Sequence, residues 1–421
     1  MAVFTRKDRK RTARVLGALA LAAVLVGCGA EGGAAPGPAG SPPPVPAASR
    51  PSRVEGRLGE LTYAAQVTPL SGEQEAAILD FLDSWYAALA RLGDEDFSAL
   101  LSDPDQARAN ESALAVQVAL RTMTEGVDYS LTGCSYVLTC TQVRCAEGGA
   151  VQVSALEASC QNFAQFPGVD SLRGSNEHQF ILERTGDGWR LAGHMQYDTL
   201  CALLLEQGVE PEELAPAYAG AAQDYLARLR AAHARREEER GLALSLPEAE
   251  HPYDRQAALD YADAYAMARS PEWVDYSDYG GNCQNFASQC LYAGGIPMDT
   301  TGDAVWKWYG STPSQTPEPQ GRSASWTAVG SFRAYARDNT GFGLASQVDA
   351  PYYAGRPGDL IQMGDGESWA HTVVIRQLVQ NEAGETTDYL IHSNTNDMAN
   401  YPASLYGYPE LSLIAVAGWN G

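Results

Sequence analysis

The segment Gly280-Gly281-Asn282-Cys283-Gln284-Asn285-Phe286-Ala287-Ser288-Gln289-Cys290-Leu291-Tyr292-Ala293-Gly294-Gly295 carries the strongest chemical signal in this chain of 421 residues. Two glycines allow a tight turn, and Cys283 falls where an amphipathic helix begins. A thiol at a helix N-terminus meets the positive end of the helix dipole, which lowers its pKa and favours the nucleophilic thiolate. Phe286, Ala287, Cys290 and Leu291 recur at helical spacing and form a buried stripe, so Cys290 reads as a core residue and not as a second nucleophile. The helix should stop at Gly294-Gly295, a pair able to supply a left-handed cap.

A nucleophilic thiol needs a base, and the elements downstream offer one. Arg356 to Met363 reads as a turn and a strand, with Asp359 as a turn residue. His371 opens the next strand, Asn381 to Glu385 makes a turn, and Asp388 to Asn394 is the returning strand. A hairpin centred on Ala383 sets residue 371 opposite about residue 395, which brings His392 and Asn394 to the same end of the sheet as His371. Cysteine, histidine and a polar orienting group on neighbouring elements make a cysteine-hydrolase triad. Asn285 and Gln289 are expected to brace the helix. Helices are also expected from Tyr253 and over about Ala328 to Arg337, and the loop Ser311 to Ser325 carries no chemistry of its own.

The motifs Tyr253-Asp254-Arg255, Gly281 to Met298, Ser325-Trp326-Thr327, Gly358 to Gln362 and His371-Thr372 follow one another in order. In that order they resemble the "putative amidase" domain family, related to the NlpC/P60 and CHAP peptidoglycan amidases. The resemblance covers Tyr253 to the C-terminus. It implies a papain-like fold with Cys283 as nucleophile and His371 as general base and then acid. His392 or Asn394 would orient the imidazole: His392 fits the NlpC/P60 pattern and Asn394 the papain pattern. The oxyanion would rest on the Cys283 N–H and on an upstream side chain such as Tyr276 or Tyr279, with Asn282 and Gln284 supporting the site. One departure is Asn282, where the family usually has Asp; an amide can still cap the helix.

The rest of the chain bounds the setting. A basic stretch from Arg6 to Arg14 precedes an apolar run, Val15 to Val26, too short to span a bilayer comfortably. Leu25-Val26-Gly27-Cys28 resembles the lipobox of bacterial lipoproteins, which implies cleavage before Cys28 and its lipidation. We therefore expect a signal peptide over residues 1–27 and a Gly/Ala/Pro/Ser-rich tether over 28–56. Residues 57–208 read as helices followed by antiparallel strands, an order similar to the NTF2-like superfamily. A helical connector is expected over 209–250 and the papain-like domain over 251–421. The fold class is thus α+β throughout. His178 and His194 are expected to be surface or satisfied strand histidines.

The formal charge of −23 argues against nucleic acid. Cys134, Cys140, Cys145 and Cys160 cluster, either as disulfide partners after export or as small buried residues. Their spacing does not match a zinc site, and no metal or cofactor is expected. These readings converge on a lipid-anchored enzyme on the cell-wall side of a bacterial membrane that hydrolyses amide bonds, with peptidoglycan peptides as the expected substrate. The same residues also fit an acyltransferase working through a thioester, or a non-catalytic wall-binding lipoprotein.

Overall fold

A computed structural model describes residue 54 and residues 56–421 other than 187. The expected leader, the lipidation site Cys28 and the tether up to residue 53 lie outside the described residues. The described chain divides between Ala227 and Arg228 into two compact units, and the elements are mixed α+β.

In the first unit β1 (Gly59–Tyr63) precedes α1 (Gly72–Arg91) and α2 (Pro104–Thr122). Ser71 and Gln74 close a reciprocal capping box on α1, whose buried stripe is Ile78, Phe81, Leu82, Trp85, Tyr86 and Leu89. The helix α2 starts earlier than its apolar pattern implies, because Asp103 caps it and Pro104 occupies the first turn. Four strands follow as an antiparallel meander: β2 (Leu131–Cys145), β3 (Val151–Phe163), β4 (Ser171–Thr185) and β5 (Gly188–Gln196). The strand β1, not anticipated from the sequence, lies parallel to β2 on its free side. The clustered cysteines are thiols; Cys134, Cys140 and Cys160 are buried and Cys145 is exposed. His178 and His194 are not surface residues but buried and paired. His178 meets Glu157 at 2.8 Å and His194 at 3.0 Å, and His194 meets Asn110 at 2.6 Å. The unit continues into α3 (Thr199–Glu206) and α4 (Leu214–Glu238), and the division between units falls within α4.

The second unit is built on an antiparallel sheet, and its elements follow in chain order. First come β6 (His251–Pro252), α5 (Arg255–Tyr265), α6 (Cys283–Ala293), β7 (Trp308–Tyr309) and β8 (Gly321–Arg322). Next are α7 (Ala324–Thr327), α8 (Val329–Asp338), β9 (Gly343–Ala350), β10 (Leu360–Gly364) and β11 (Trp369–Gln380). The last are β12 (Thr386–Ser393), β13 (Met398–Pro402) and β14 (Glu410–Asn420). The strand order is β13-β12-β11-β10-β14, with β6 and β9 also paired to β14. Leu360, Ile361, Val373, Val374, Ile375, Ile391, Leu413 and Ile414 form its buried core. The helix α6 packs against β11. At its C-terminal end a Cβ on Gly294 would lie 2.2 Å from the Tyr253 ring, so close approach demands glycine there. Gly295, at φ 88°, takes the left-handed position.

Asp359 does more than shape a turn. Fully buried, its carboxylate accepts the Val416 and Arg356 N–H groups, each at 2.9 Å, and pairs with Arg255 at 2.8 Å. It thereby ties β10, β14 and α5 together. Asp359→Ala leaves Arg255 and two backbone donors without their acceptor. It should destabilise this unit by about 3 kcal/mol or more, read as a lowered urea midpoint in the tryptophan fluorescence of the second unit.

Candidate active site

Gly280 and Gly281, at φ 98° and 119°, make the turn ahead of α6 in conformations that favour glycine. The ladder of α6 begins with the Phe286 N–H on the Asn282 carbonyl, so the first-turn N–H groups look beyond the helix for acceptors. Cys283 sits at this first turn and is largely buried. Asn282 holds the capping position, yet its side chain does not cap the helix. Instead Oδ1 accepts from Tyr276 N (3.1 Å) and Asn285 Nδ2 (2.8 Å), while Nδ2 donates to Asn394 Oδ1 (2.5 Å). The amide thus braces the turn rather than capping it.

The Cys283 turn and the His371 strand are joined through their immediate neighbours. Thr372 Oγ1 donates to Gln284 Oε1 at 2.8 Å. The Asn282 N–H donates to Thr395 Oγ1 at 2.5 Å. The carbonyl of Thr395 in turn accepts from Ser393 Oγ (3.3 Å) and the Tyr406 hydroxyl (3.5 Å). Those two hydroxyls flank His371 Nε2, at 2.9 Å and 2.7 Å. Because both hydroxyls also reach the Thr395 carbonyl, their oxygens can accept a proton from Nε2, the tautomer that leaves the Nδ1 lone pair as a base.

The hairpin has the expected register, Val374 opposite His392, but neither expected orienting group bonds to His371. Residues directly opposite share a face, so His392 lies with Val374 and Thr372, one residue out of phase with His371. Its Nε2 meets Asp263 Oδ1 on α5 at 2.7 Å, and its Nδ1 accepts the Asn400 N–H at 3.2 Å. Asn394, besides holding Asn282, donates to the carbonyls of Tyr265 (2.7 Å) and Ala268 (2.9 Å). Asn394 therefore braces the turn, while His392 is held to α5. The side chains that bond to the His371 ring are Ser393 and Tyr406. Ser393 could have been found by counting faces: it is opposite residue 373, in phase with His371. Tyr406 leaves no local signature.

Gln284 is buried and links the helix to β11, as above, while donating to Ser288 Oγ at 3.2 Å. Asn285 donates to the Val274 carbonyl (3.0 Å) and accepts from Trp326 Nε1 (3.0 Å), which fixes α6 against α7. Gln289 accepts from the Tyr261 hydroxyl at 3.0 Å. Tyr276 keeps a buried hydroxyl with no hydrogen-bond partner, and the Arg322 guanidinium lies 4.8 Å over its ring. Tyr279 is exposed. Cys290 is fully buried, and burial pushes its thiol well up, as a core residue requires.

Burial lowers the His371 imidazole to about 3, with desolvation as the only cause. The ring is therefore neutral in the folded protein. Two predictions follow from this geometry. The folded value lies below the ordinary 6.5, so the unfolded chain binds the extra proton: stability is full above 6.5 and falls as the pH drops from there toward about 3. His371→Gln should lessen the loss of thermal stability between pH 7 and 4, measured by differential scanning calorimetry of both proteins. Ser393→Ala combined with Tyr406→Phe removes both hydroxyl partners of the ring. It should slow alkylation of Cys283 by iodoacetamide about tenfold, read by peptide mass spectrometry, while His392→Ala should slow it far less.

Among known proteins, the chain is 34% identical over 126 residues to the uncharacterized protein YhbB of Bacillus subtilis (strain 168). That stretch is 29% of this chain and 37% of the relative, so the chain spans little more than a third of the relative's length. No solved structure matches. Residues 252–414, which contain the Cys283 turn, the His371 strand and the Tyr406 hydroxyl, match the family model described as "Putative amidase domain".

Proposed function

We propose that residues 251–421 form a papain-like cysteine amidase. The observation that carries this reading is the Thr395 linkage, which couples the turn bearing a helix-start thiol to a neutral, hydroxyl-bonded imidazole. In the reaction, His371 Nδ1 takes the Cys283 proton as sulfur attacks the amide carbonyl. The tetrahedral oxyanion lies at the first turn of α6, facing the Cys283 N–H and the positive end of the helix. The carbon–nitrogen bond then breaks, the imidazolium gives its proton to the departing amine, and a thioester remains. Water, deprotonated by the same nitrogen, releases the acid and restores the thiol.

The substrate in this reading is an amide bond of peptidoglycan peptides, and the protein is held by lipid on Cys28 at the outer face of the membrane. The first unit, with helices ahead of an antiparallel meander, supports an NTF2-like reading and serves as spacer or ligand-binding domain. The test is muropeptide release. Wild-type protein should release water-cleaved fragments, and Cys283→Ala should lower the rate by at least about 10³-fold, with products identified by mass spectrometry. Release by Cys283→Ala at the wild-type rate would refute the cysteine mechanism, and amine-exchanged products would make the enzyme a transferase.

A further inference from the structure

The described residues include five exposed large hydrophobic side chains: Leu242, Val274, Tyr279, Tyr292 and Tyr309. Two of these, Tyr279 and Tyr292, belong to one aromatic patch beside the Cys283 turn. Tyr279 packs on Tyr276 (ring centroids 6.2 Å apart), Tyr276 on Trp308 (5.8 Å), Trp308 on Trp273 (5.8 Å), and Trp273 on Tyr292 (5.9 Å). Val274 follows Trp273 in the chain, and Tyr309 follows Trp308. The patch adjoins the turn directly, because the Tyr276 carbonyl accepts the Gly281 N–H at 3.2 Å and the Tyr276 N–H is bonded to Asn282.

The chain segment that carries most of this patch is acidic, and the cations that reach it, Arg269 and Arg322, come from outside that segment. Between Ser270 and Trp306 there is no Lys or Arg, while Glu272, Asp275, Asp278, Asp299 and Asp303 are present. Asp275 is paired with Arg269 at 3.2 Å, and Asp299 is buried and bonded to Thr301. Glu272 and Asp278 are exposed, flank Trp273 and Tyr279 in the chain, and have no ion pair among the described residues. Trp273 Nε1 is buried without a hydrogen-bond partner and is a donor open to a backbone carbonyl of an occupant. Aromatic faces attract cations through the ring quadrupole, and carboxylates attract the same charge. Arg322 over Tyr276 shows that these rings accept one. An anionic or plain apolar occupant would leave both carboxylates uncompensated.

We propose that this face is the docking surface for the substrate chain, and that its occupant is a peptide bearing free side-chain amines. The proposal rests on Cys283 being the reacting thiol, since the patch gains its meaning as a substrate site from adjoining that turn. The amine sits against the rings of the patch beside the Glu272 and Asp278 carboxylates, and the peptide backbone leads from there to Cys283.

The test measures binding rather than turnover, on the full chain carrying Cys283→Ala, by isothermal titration at low salt. The probes are acetyl-trilysine amide, its side-chain-acetylated form and acetyl-triglutamate amide. Trilysine should bind at least five times more tightly than either control. Glu272→Gln with Asp278→Asn, and separately Tyr279→Ala with Tyr292→Ala, should each weaken it at least fivefold, and 0.5 M salt should erase the effect of the charge pair. Absent trilysine binding, equal binding of triglutamate, or unchanged affinity in both pairs would overturn the proposal. Because no thiol chemistry is read, these outcomes are separate from a failure of the amidase reading, which shows as undiminished muropeptide release by Cys283→Ala.

Discussion

The second unit depends on one threonine that faces two ways. The side chain of Thr395 receives the N–H of Asn282, while its carbonyl collects the two hydroxyls that hold His371. Segments over a hundred residues apart are therefore positioned by a single residue. The backbone around it is shaped for this duty. Gly281 adopts φ 119° directly against the Thr395 side chain, and Asn396, next in sequence, sits at φ 51°, a region that short amide side chains tolerate. Neither turn would form with a β-branched residue at those positions without strain.

Hydroxyl partners on His371 have an electrostatic consequence. A carboxylate at Nε2 would stabilise the imidazolium and raise its pKa, whereas Ser393 and Tyr406 fix direction without adding charge. Burial then acts unopposed, and the ring stays neutral at physiological pH. The Asp263 carboxylate, which could have played that part, is occupied by His392 and Arg376 on the other face of the strand pair. The unit thus keeps its carboxylate–histidine pair away from its hydroxyl–histidine pair, though the two histidines lie on adjacent strands.

Local pattern carried much of this into view beforehand. The start and stop of α6 and the hairpin register of β11 and β12 were legible, because each is set by spacing, caps or turn residues within a few positions. The parity error over His392 arose from treating nearness along a strand as nearness of side chains; adjacent residues point to opposite faces. The strands β9, β13 and β14 escaped notice because their pairing partners lie far off in sequence or their segments are short. Tyr406 was illegible for a different reason. It comes from the 3-10 turn Ala403–Tyr406 after β13, and only the tertiary fold returns that turn to His371. Of the two readings open for His178 and His194, surface or satisfied strand histidine, the structure shows the second, though an isolated histidine gives no sign of which partner satisfies it. Their burial is tolerable only as part of the satisfied run from Tyr86 through Glu157 to Asn110, where, against the desolvation of burial, hydrogen bonds from His178 and Tyr86 help hold the Glu157 carboxyl below its ordinary value.

The amide at position 282, a departure from the pattern of the resembling family, has a physical logic in this chain. Asn394 directs its NH₂ group at the Tyr265 and Ala268 carbonyls, so only its oxygen remains for residue 282. Asn282 meets that oxygen with a donor. An aspartate there would set two acceptors face to face, or force Asn394 to turn its own oxygen onto two carbonyls, leaving buried groups unpaired in either case. A carboxylate next to Cys283 would also oppose the thiolate that the helix dipole favours. Asparagine keeps the loop-bracing oxygen that accepts from Tyr276 and Asn285, removes the charge, and matches the orientation of Asn394, so that residues 282 and 394 are best understood as one choice made twice.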